Sequence, residues 1–321
     1  MLFIVNPISG KGRKARIIAH LQEKGLKVVC TEYAGHAEVL AREASERVIV
    51  AVGGDGTVNE VARGIVGTDK VLGIIPCGSG DGLALHLGIS RHYKRAVKTI
   101  LDGKVAKIDS GLINDRPFFS VCGTGFDAVV SERFAKSGRR GLMNYIKLGL
   151  ETWKEYSPEK YTIEIDGNTF ETEASLLTVG NSSQWGNNAR IAPLADISDG
   201  VLDMTAVDRF SVIEMPALAI LLMTGRLDKN SHVHCYRGSH FRISRPAGGP
   251  AHADGDWFSA GTELDIRILP HSLNVLVPRQ NSQQDPYTQA SRYLRASVLP
   301  CAAAISNHFF AAALSTLTPS P

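Results

Sequence analysis

Three glycine-rich segments within the first 82 residues carry residue types that hold phosphate groups. In Gly53-Gly54-Asp55-Gly56-Thr57-Val58-Asn59-Glu60, three glycines surround one aspartate. Their missing Cβ atoms open the backbone to close approach by a triphosphate. A carboxylate set among phosphates acts through a metal ion or takes a proton from a hydroxyl. The plainer role for Asp55 is to cap the helix that follows, but such a run exceeds what a cap requires. Asn6-Pro7-Ile8-Ser9-Gly10-Lys11-Gly12 precedes a helix expected from about Arg13. Small residues, a helix N-terminus and the charge of Lys11 or Arg13 suit an anion there, although an ordinary strand-to-helix turn reads the same way. The third segment, Pro76-Cys77-Gly78-Ser79-Gly80-Asp81-Gly82, lacks the Gly-Lys-Ser/Thr ending of a Walker A loop and is not a GxGxxG dinucleotide loop. Several such loops in one chain point to a nucleoside triphosphate.

Loops of this kind need a parallel sheet, whose strand ends gather ligands. β-branched runs at 2–5, 27–31, 47–52 and 71–75 alternate with helix-like segments, the pattern of parallel strands covered by helices. After Asp109 the rhythm changes. Strand-like stretches at 161–165, 173–180, 201–207, 240–244 and 263–269, broken by helices near 127–135, 141–156 and 212–224, predict an antiparallel second domain. The expected division is 1–115, 116–279 and a Gln-, Ser-, Ala- and Pro-rich tail over 280–321, which reads as disordered.

Bulk properties narrow the function classes. With 321 residues, 44% hydrophobic, the chain can bury two ordinary cores. A net charge of +3 with scattered Lys and Arg gives no basic face for nucleic acid. The five cysteines, Cys30, Cys77, Cys122, Cys235 and Cys301, form no CxxC pair and read as reduced core residues. The first residues resemble a buried strand rather than a signal peptide, and no apolar stretch of the main body approaches the ~20 residues of a membrane span. A cytoplasmic protein is expected. The stretch 136–148 mixes cations with apolar residues and suits either an anionic membrane surface or a core-packed helix. His232 and His234 share a strand face without a third metal ligand, Trp153, Trp185 and Trp257 read as core or cleft-lining aromatics, and the run from Trp185 to Arg190 is a candidate cleft border at which Arg190 neutralises phosphate.

The motifs resemble those of the diacylglycerol kinase catalytic-domain superfamily, which includes bacterial lipid kinases and sphingosine kinases. Asn6–Gly12 resembles its NPxSGxG opening, Thr31 to Ala37 its T-x3-GHA segment, and Gly53–Glu60 its GGDGTxNE run. The likeness continues through Gly125-Phe126-Asp127, Ala192-Pro193, Asp199–Asp203 and Asp254-Gly255-Asp256, spanning about residues 1–279. The resemblance implies an α/β nucleotide-binding domain similar to NAD kinases and phosphofructokinases, joined to a β-sandwich with the active site in the cleft between. The final strand, near 274–277, is then expected back in the first domain. By position, Asn6, Ser9, Gly10, Lys11, Thr31, Gly53, Gly54, Asp55, Gly56, Thr57, Asn59, Glu60 and Ser79 surround ATP. Asp199, Leu202 and Asp203 resemble a structural Mg2+ site. Two departures stand out: Gly82 where many bacterial members carry GTxND, and Asp256 where the family's DGE supplies its presumed proton acceptor.

The resemblance implies transfer of the γ-phosphoryl group of Mg-ATP to a lipid hydroxyl, with Asp256 as base and Asp55 as the alternative. The lipid would be met at a membrane surface, from the cytoplasmic face, and a homodimer stays open. A kinase of a soluble acceptor, or an ATP-binding sensor without turnover, are the competing readings.

Overall fold

Uninterrupted aliphatic runs make strands that can be covered on both faces, and the first half of the chain is built on them. The structure, a computed structural model, describes residues 1–8, 14–138 and 142–279. Strands β1 (Leu2–Val5), β2 (Lys27–Cys30), β3 (Val48–Gly53) and β4 (Val71–Pro76) pair in parallel in the order β2-β1-β3-β4. Helices α1 (Lys14–Glu23), α2 (His36–Glu43), α3 (Asp55–Ile65), α4 (Gly82–His86) and α5 (Tyr93–Asp102) separate or follow them. All of β1 and β4 is buried, whereas edge strand β2 is partly exposed. Each fully buried Ile or Val there contributes about 1.5–3 kcal/mol. Since β1 lies between β2 and β3, the strand order reverses at β1, which leaves a crevice at the carboxyl ends of β1 and β3.

The remaining strands are β5 (Lys104–Ile113), β6 (Arg116–Phe118), β7 (Val121–Gly125), β8 (Glu159–Ile165), β9 (Asn168–Ala174), β10 (Leu176–Gly180), β11 (Leu202–Val207), β12 (Val233–Gly238), β13 (His240–Ser244), β14 (Gly249–Ala253), β15 (Asp256–Ala260) and β16 (Glu263–Val277). Helices α6 (Phe126–Lys136), α7 (Leu142–Glu155) and α8 (Met215–Thr224) interrupt them. An antiparallel sheet runs β12-β11-β10-β7-β14-β15. It encloses a second core with β8, β13 and β16 around Tyr161, Phe241, Leu177 and Met204.

The two halves share one sheet. β16 pairs with β13 near its start and with β4, in parallel, at Asn274 and Val275, and β5 runs antiparallel along both parts. The register of β16 shifts between Leu269 and Leu273, where His271 takes φ 52°. Asp109, fully buried on β5, accepts the His271 N–H at 2.6 Å and the Gly200 N–H at 2.8 Å, which pins this bulge.

Several expectations change at this level. The stretch read as one strand over 173–180 divides at Ser175, with β9 in the mixed sheet and β10 in the antiparallel one. Among the described residues only Cys122 is a buried cysteine; Cys77 and Cys235 are half-buried and Cys30 is exposed on β2. Trp153 is core, as read from sequence. Ser9, Gly10, Lys11, Arg13, the 139–141 part of the cationic stretch and the 280–321 tail lie outside the described residues.

Candidate active site

The second and third glycine segments meet at the crevice through backbone contacts that side chains would block. Gly54 and Gly78 approach so closely that a Cβ on Gly78 would stand 2.8 Å from the Gly54 Cα, and Cys77 N–H donates to Gly53 O at 2.7 Å. Asn6 follows β1, where its side chain accepts the Ile8 N–H at 3.0 Å, and Thr31 N–H donates to Val5 O. Thr57 and Asn59 are buried in the first turns of α3.

Asp55 opens α3 but caps a different helix. Its Oδ2 accepts the Asp81 N–H at 2.8 Å and its Oδ1 the Gly82 N–H at 2.7 Å, so the carboxylate closes the N-terminus of α4 and fastens the third glycine loop to the second. Asp81 accepts the Gly78 N–H at 2.9 Å and pairs with Arg91 at 3.2 Å. Burial, reinforced by the Asp55 charge, raises the Asp81 carboxyl to about 6, with Gly78 and Arg91 pulling the other way. Glu60 likewise serves a neighbouring helix, accepting the Ala37 N–H at the start of α2.

A loop from the other half of the fold rests on this platform. A Cβ on Gly82 would lie 3.2 Å from Gly186 Cα, and Asn187 N–H donates to Gly80 O at 2.7 Å. Gly82, the departure noticed in the sequence, stands where a side chain would press on this loop. Between the loops lies a cleft of about 360 Å³. Of the residues expected around ATP, it is lined by Asp55, Gly56, Asn59 and Ser79. Asn6, Thr31, Gly53, Gly54, Thr57 and Glu60 support those loops without lining it. Asp256 and Trp185 do line it.

Spacing alone did not single out three further cleft residues. Asp127, at the start of α6, accepts from Thr178 Oγ1 at 2.7 Å and sits 2.9 Å from His252 Nε2. Asp254, at φ 52°, accepts three backbone N–H groups, from Phe119, Ser120 and Val121, at 2.8–3.0 Å. Burial raises its carboxyl to about 6 against those three donors. The one available signal was the likeness of GFD and DGD to family motifs, which marked the positions but not the pairing. Asp256 is 63% exposed and pairs with Arg63 at 3.4 Å.

An apolar groove of about 260 Å³ shares Trp185 with the cleft. It is lined by Phe126, Trp153, Phe210, Leu218 and Leu222 among others, from α6, α7, α8 and the flanking chain. Every residue of α8 from Ala217 to Met223 is apolar, yet only Leu218 is buried, with Ile220 64% and Met223 49% exposed. A wider groove of about 540 Å³ along β8, β9 and β13 touches no glycine loop.

The residues expected to hold structural Mg2+ lie elsewhere. Arg237 donates to Asp199 Oδ2 at 2.5 Å and lies 3.1 Å from Asp203 Oδ1, so a guanidinium already joins the two carboxylates. Asp203 Oδ2 is buried without a hydrogen-bond partner, and the Leu202 side chain is in the core, leaving only its carbonyl as a donor. Among the described residues no group of three or more His, Cys, Asp or Glu is placed to hold an ion.

Residues 1–113 match the diacylglycerol kinase catalytic domain and residues 120–277 the YegS C-terminal NAD kinase beta sandwich-like domain. An uncharacterised protein of Synechocystis is 31% identical over 306 residues, covering 87% of this chain and 70% of that protein. A diacylglycerol kinase of Mycobacterium tuberculosis is 30% identical over 293 residues, covering 86% and 94%. The crystal structure of a diacylglycerol kinase from Bacillus anthracis superimposes with a TM-score of 0.69 at 22% identity, covering 86% of this chain and 96% of that one, a likeness of fold.

Proposed function

The chain belongs to the diacylglycerol kinase catalytic-domain family and is a kinase; from that premise we propose that it transfers the γ-phosphoryl group of Mg-ATP to the hydroxyl of a lipid. The observation that carries the lipid acceptor is that Trp185 lines both the cleft beside the glycine loops and a groove of almost wholly carbon surface. A soluble acceptor would need the first and leave the second without a purpose.

In this reading residues 1–115 hold the nucleotide and 116–279 the acceptor. Phosphoryl transfer is mainly positioning and neutralisation of charge. The backbone of Gly56, Ser79 and Gly80 meets the phosphates beside Asn59, while Asn6, Thr31, Gly53, Gly54 and Thr57 shape the loops behind it; by family likeness Ser9, Gly10 and Lys11, outside the described residues, belong to the same site. Magnesium arrives with the nucleotide as part of the substrate. The acceptor oxygen forms its bond to the γ-phosphorus as the bond to the β,γ-bridging oxygen breaks, and ADP leaves. Asp256 takes the hydroxyl proton, its long ion pair to Arg63 being cheap to release at an exposed site. Asp55 fastens the N-terminus of α4 and so holds the phosphate loops in place, and is the alternative base. Asp127 orients the hydroxyl from inside the cleft. The exposed apolar face of α8 is suited to a membrane surface, where the acceptor resides, on the cytoplasmic side. Among the described residues no helix is long and apolar enough to cross a membrane.

Surface-dilution kinetics test this reading. The rate is expected to follow the mole fraction of acceptor lipid in mixed micelles at fixed bulk lipid. A rate that follows bulk concentration of a water-soluble alcohol and ignores micelles contradicts it.

A further inference from the structure

Inside the cleft, one side chain touches one of the two carboxylates assigned to the acceptor hydroxyl and the turn that leads into the other. His252, on β14, is 2% exposed and lines the cleft. Its Nε2 lies 2.9 Å from Asp127 Oδ2, and its Nδ1 faces the Gly255 N–H at 3.4 Å. A backbone N–H only donates, so Nδ1 accepts, and the ring proton sits on Nε2 and is donated to Asp127.

Each partner of this imidazole is held from its other side. Asp127 also receives Thr178 Oγ1 at 2.7 Å on the same oxygen and the Ala128 N–H at 2.8 Å on the other. The strand beneath makes room for the pair: a Cβ on Gly123 would stand 3.0 Å from Asp127 Oδ2 and 3.2 Å from His252 Nε2. The turn on the far side has two successive left-handed residues, Asp254 at φ 52° and Gly255 at φ 85°, and a non-glycine residue there is strained unless its surroundings hold it. Three amides hold Asp254, and His252 holds Gly255. Asp256 follows at once. Its side chain is one methylene shorter than the family glutamate, so its reach depends more on where the turn sits.

We propose that His252 is a positioning residue for phosphoryl transfer: it ties Asp127 to the 254–256 turn, so that the Asp127 and Asp256 carboxylates address one hydroxyl. The proposal rests on the kinase reading given above. The histidine acts through its two partners.

The test is a double-mutant cycle on the full chain in mixed micelles, with thermal unfolding as the check on folding. His252→Asn keeps an acceptor near the Nδ1 position and cannot reach Asp127; His252→Gln keeps a donor near Nε2 and loses the link to Gly255. Each is expected to lower kcat about tenfold with KM for ATP within twofold of native, and to lower it less than twofold when Asp256→Asn is already present, because residues acting as a unit are not additive. An unchanged kcat in both folded variants, or the same fractional loss with and without Asp256→Asn, overturns the proposal. Nitrogen-15 shifts of the His252 ring give a readout that needs no acceptor: a proton on Nε2 is expected, and a proton on Nδ1 overturns the assignment. Absence of lipid phosphorylation by the native chain would instead count against the function itself.

Discussion

Asp55 shows how far chemistry can be read from residue types. The Gly53–Glu60 run marked a phosphate site because glycines around an acid have few other uses. Its hydrogen bonds to Asp81 and Gly82 were not legible, since they join backbone groups 26 and 27 residues away. The Asp127–His252 contact, 125 residues apart in sequence, left no periodic trace either. Asp81 yields a pH prediction. Its carboxyl rises from 3.8 to about 6 in the fold, so the protonated form is favoured there, and the stabilisation present below 3.8 is lost as pH rises through 6. Asp81→Asn keeps an acceptor for the Gly78 N–H and carries no charge. Its stability relative to the native chain should therefore improve by about 1 kcal/mol between pH 5 and pH 8. Urea titrations at the two pH values measure this, and a difference that stays constant or reverses would show that the buried charge is not what separates the two proteins.

At the scale of elements, the parallel strands were legible because they are continuous aliphatic runs. The short strands β6, β7, β14 and β15 were not: Val121–Gly125 and Gly249–Ala253 are glycine- and alanine-rich, and only pairing with one another makes them strands. The division at Ser175 escaped notice because two strands on different sheets follow with a single residue between them. The seam between the glycine loops and the 185–190 loop depends on residues without Cβ atoms. Gly186, at φ 133°, would place a Cβ 3.1 Å from Gly80 Cα, so Gly186→Ala should cost roughly 1–3 kcal/mol and lower kcat. Chemical denaturation and turnover of that variant check both parts. The groove beside α8 makes a separate forecast. Ala219→Phe narrows a lining position, and should depress activity on long-chain acceptors several-fold more than on short-chain ones. Equal loss across chain lengths would place the acyl chain elsewhere.

For the whole molecule, β16 decides how the halves relate. Without it β4 keeps only β3, and β5 loses its long partner and keeps only β6. Residues 1–113 alone would lack β6 as well, exposing two strand edges, and that fragment is expected to aggregate or remain unfolded. Calorimetry of the full chain should accordingly show one transition spanning both halves, whereas two well-separated transitions would mean that they fold independently. The sequence reading placed a final strand back in the first domain through family resemblance; no periodicity in 263–277 announced that a bulge at His271 joins both roles in one strand. The central claim, phosphorylation of a lipid hydroxyl, is met most directly by incubating the native chain and Asp256→Asn with γ-labelled Mg-ATP and a panel of hydroxyl-bearing lipids in mixed micelles. Label is expected in one lipid class with the native chain, with a loss on the order of 10² to 10⁴ in the variant. Binding of ATP by the native chain with no label in any lipid would contradict it.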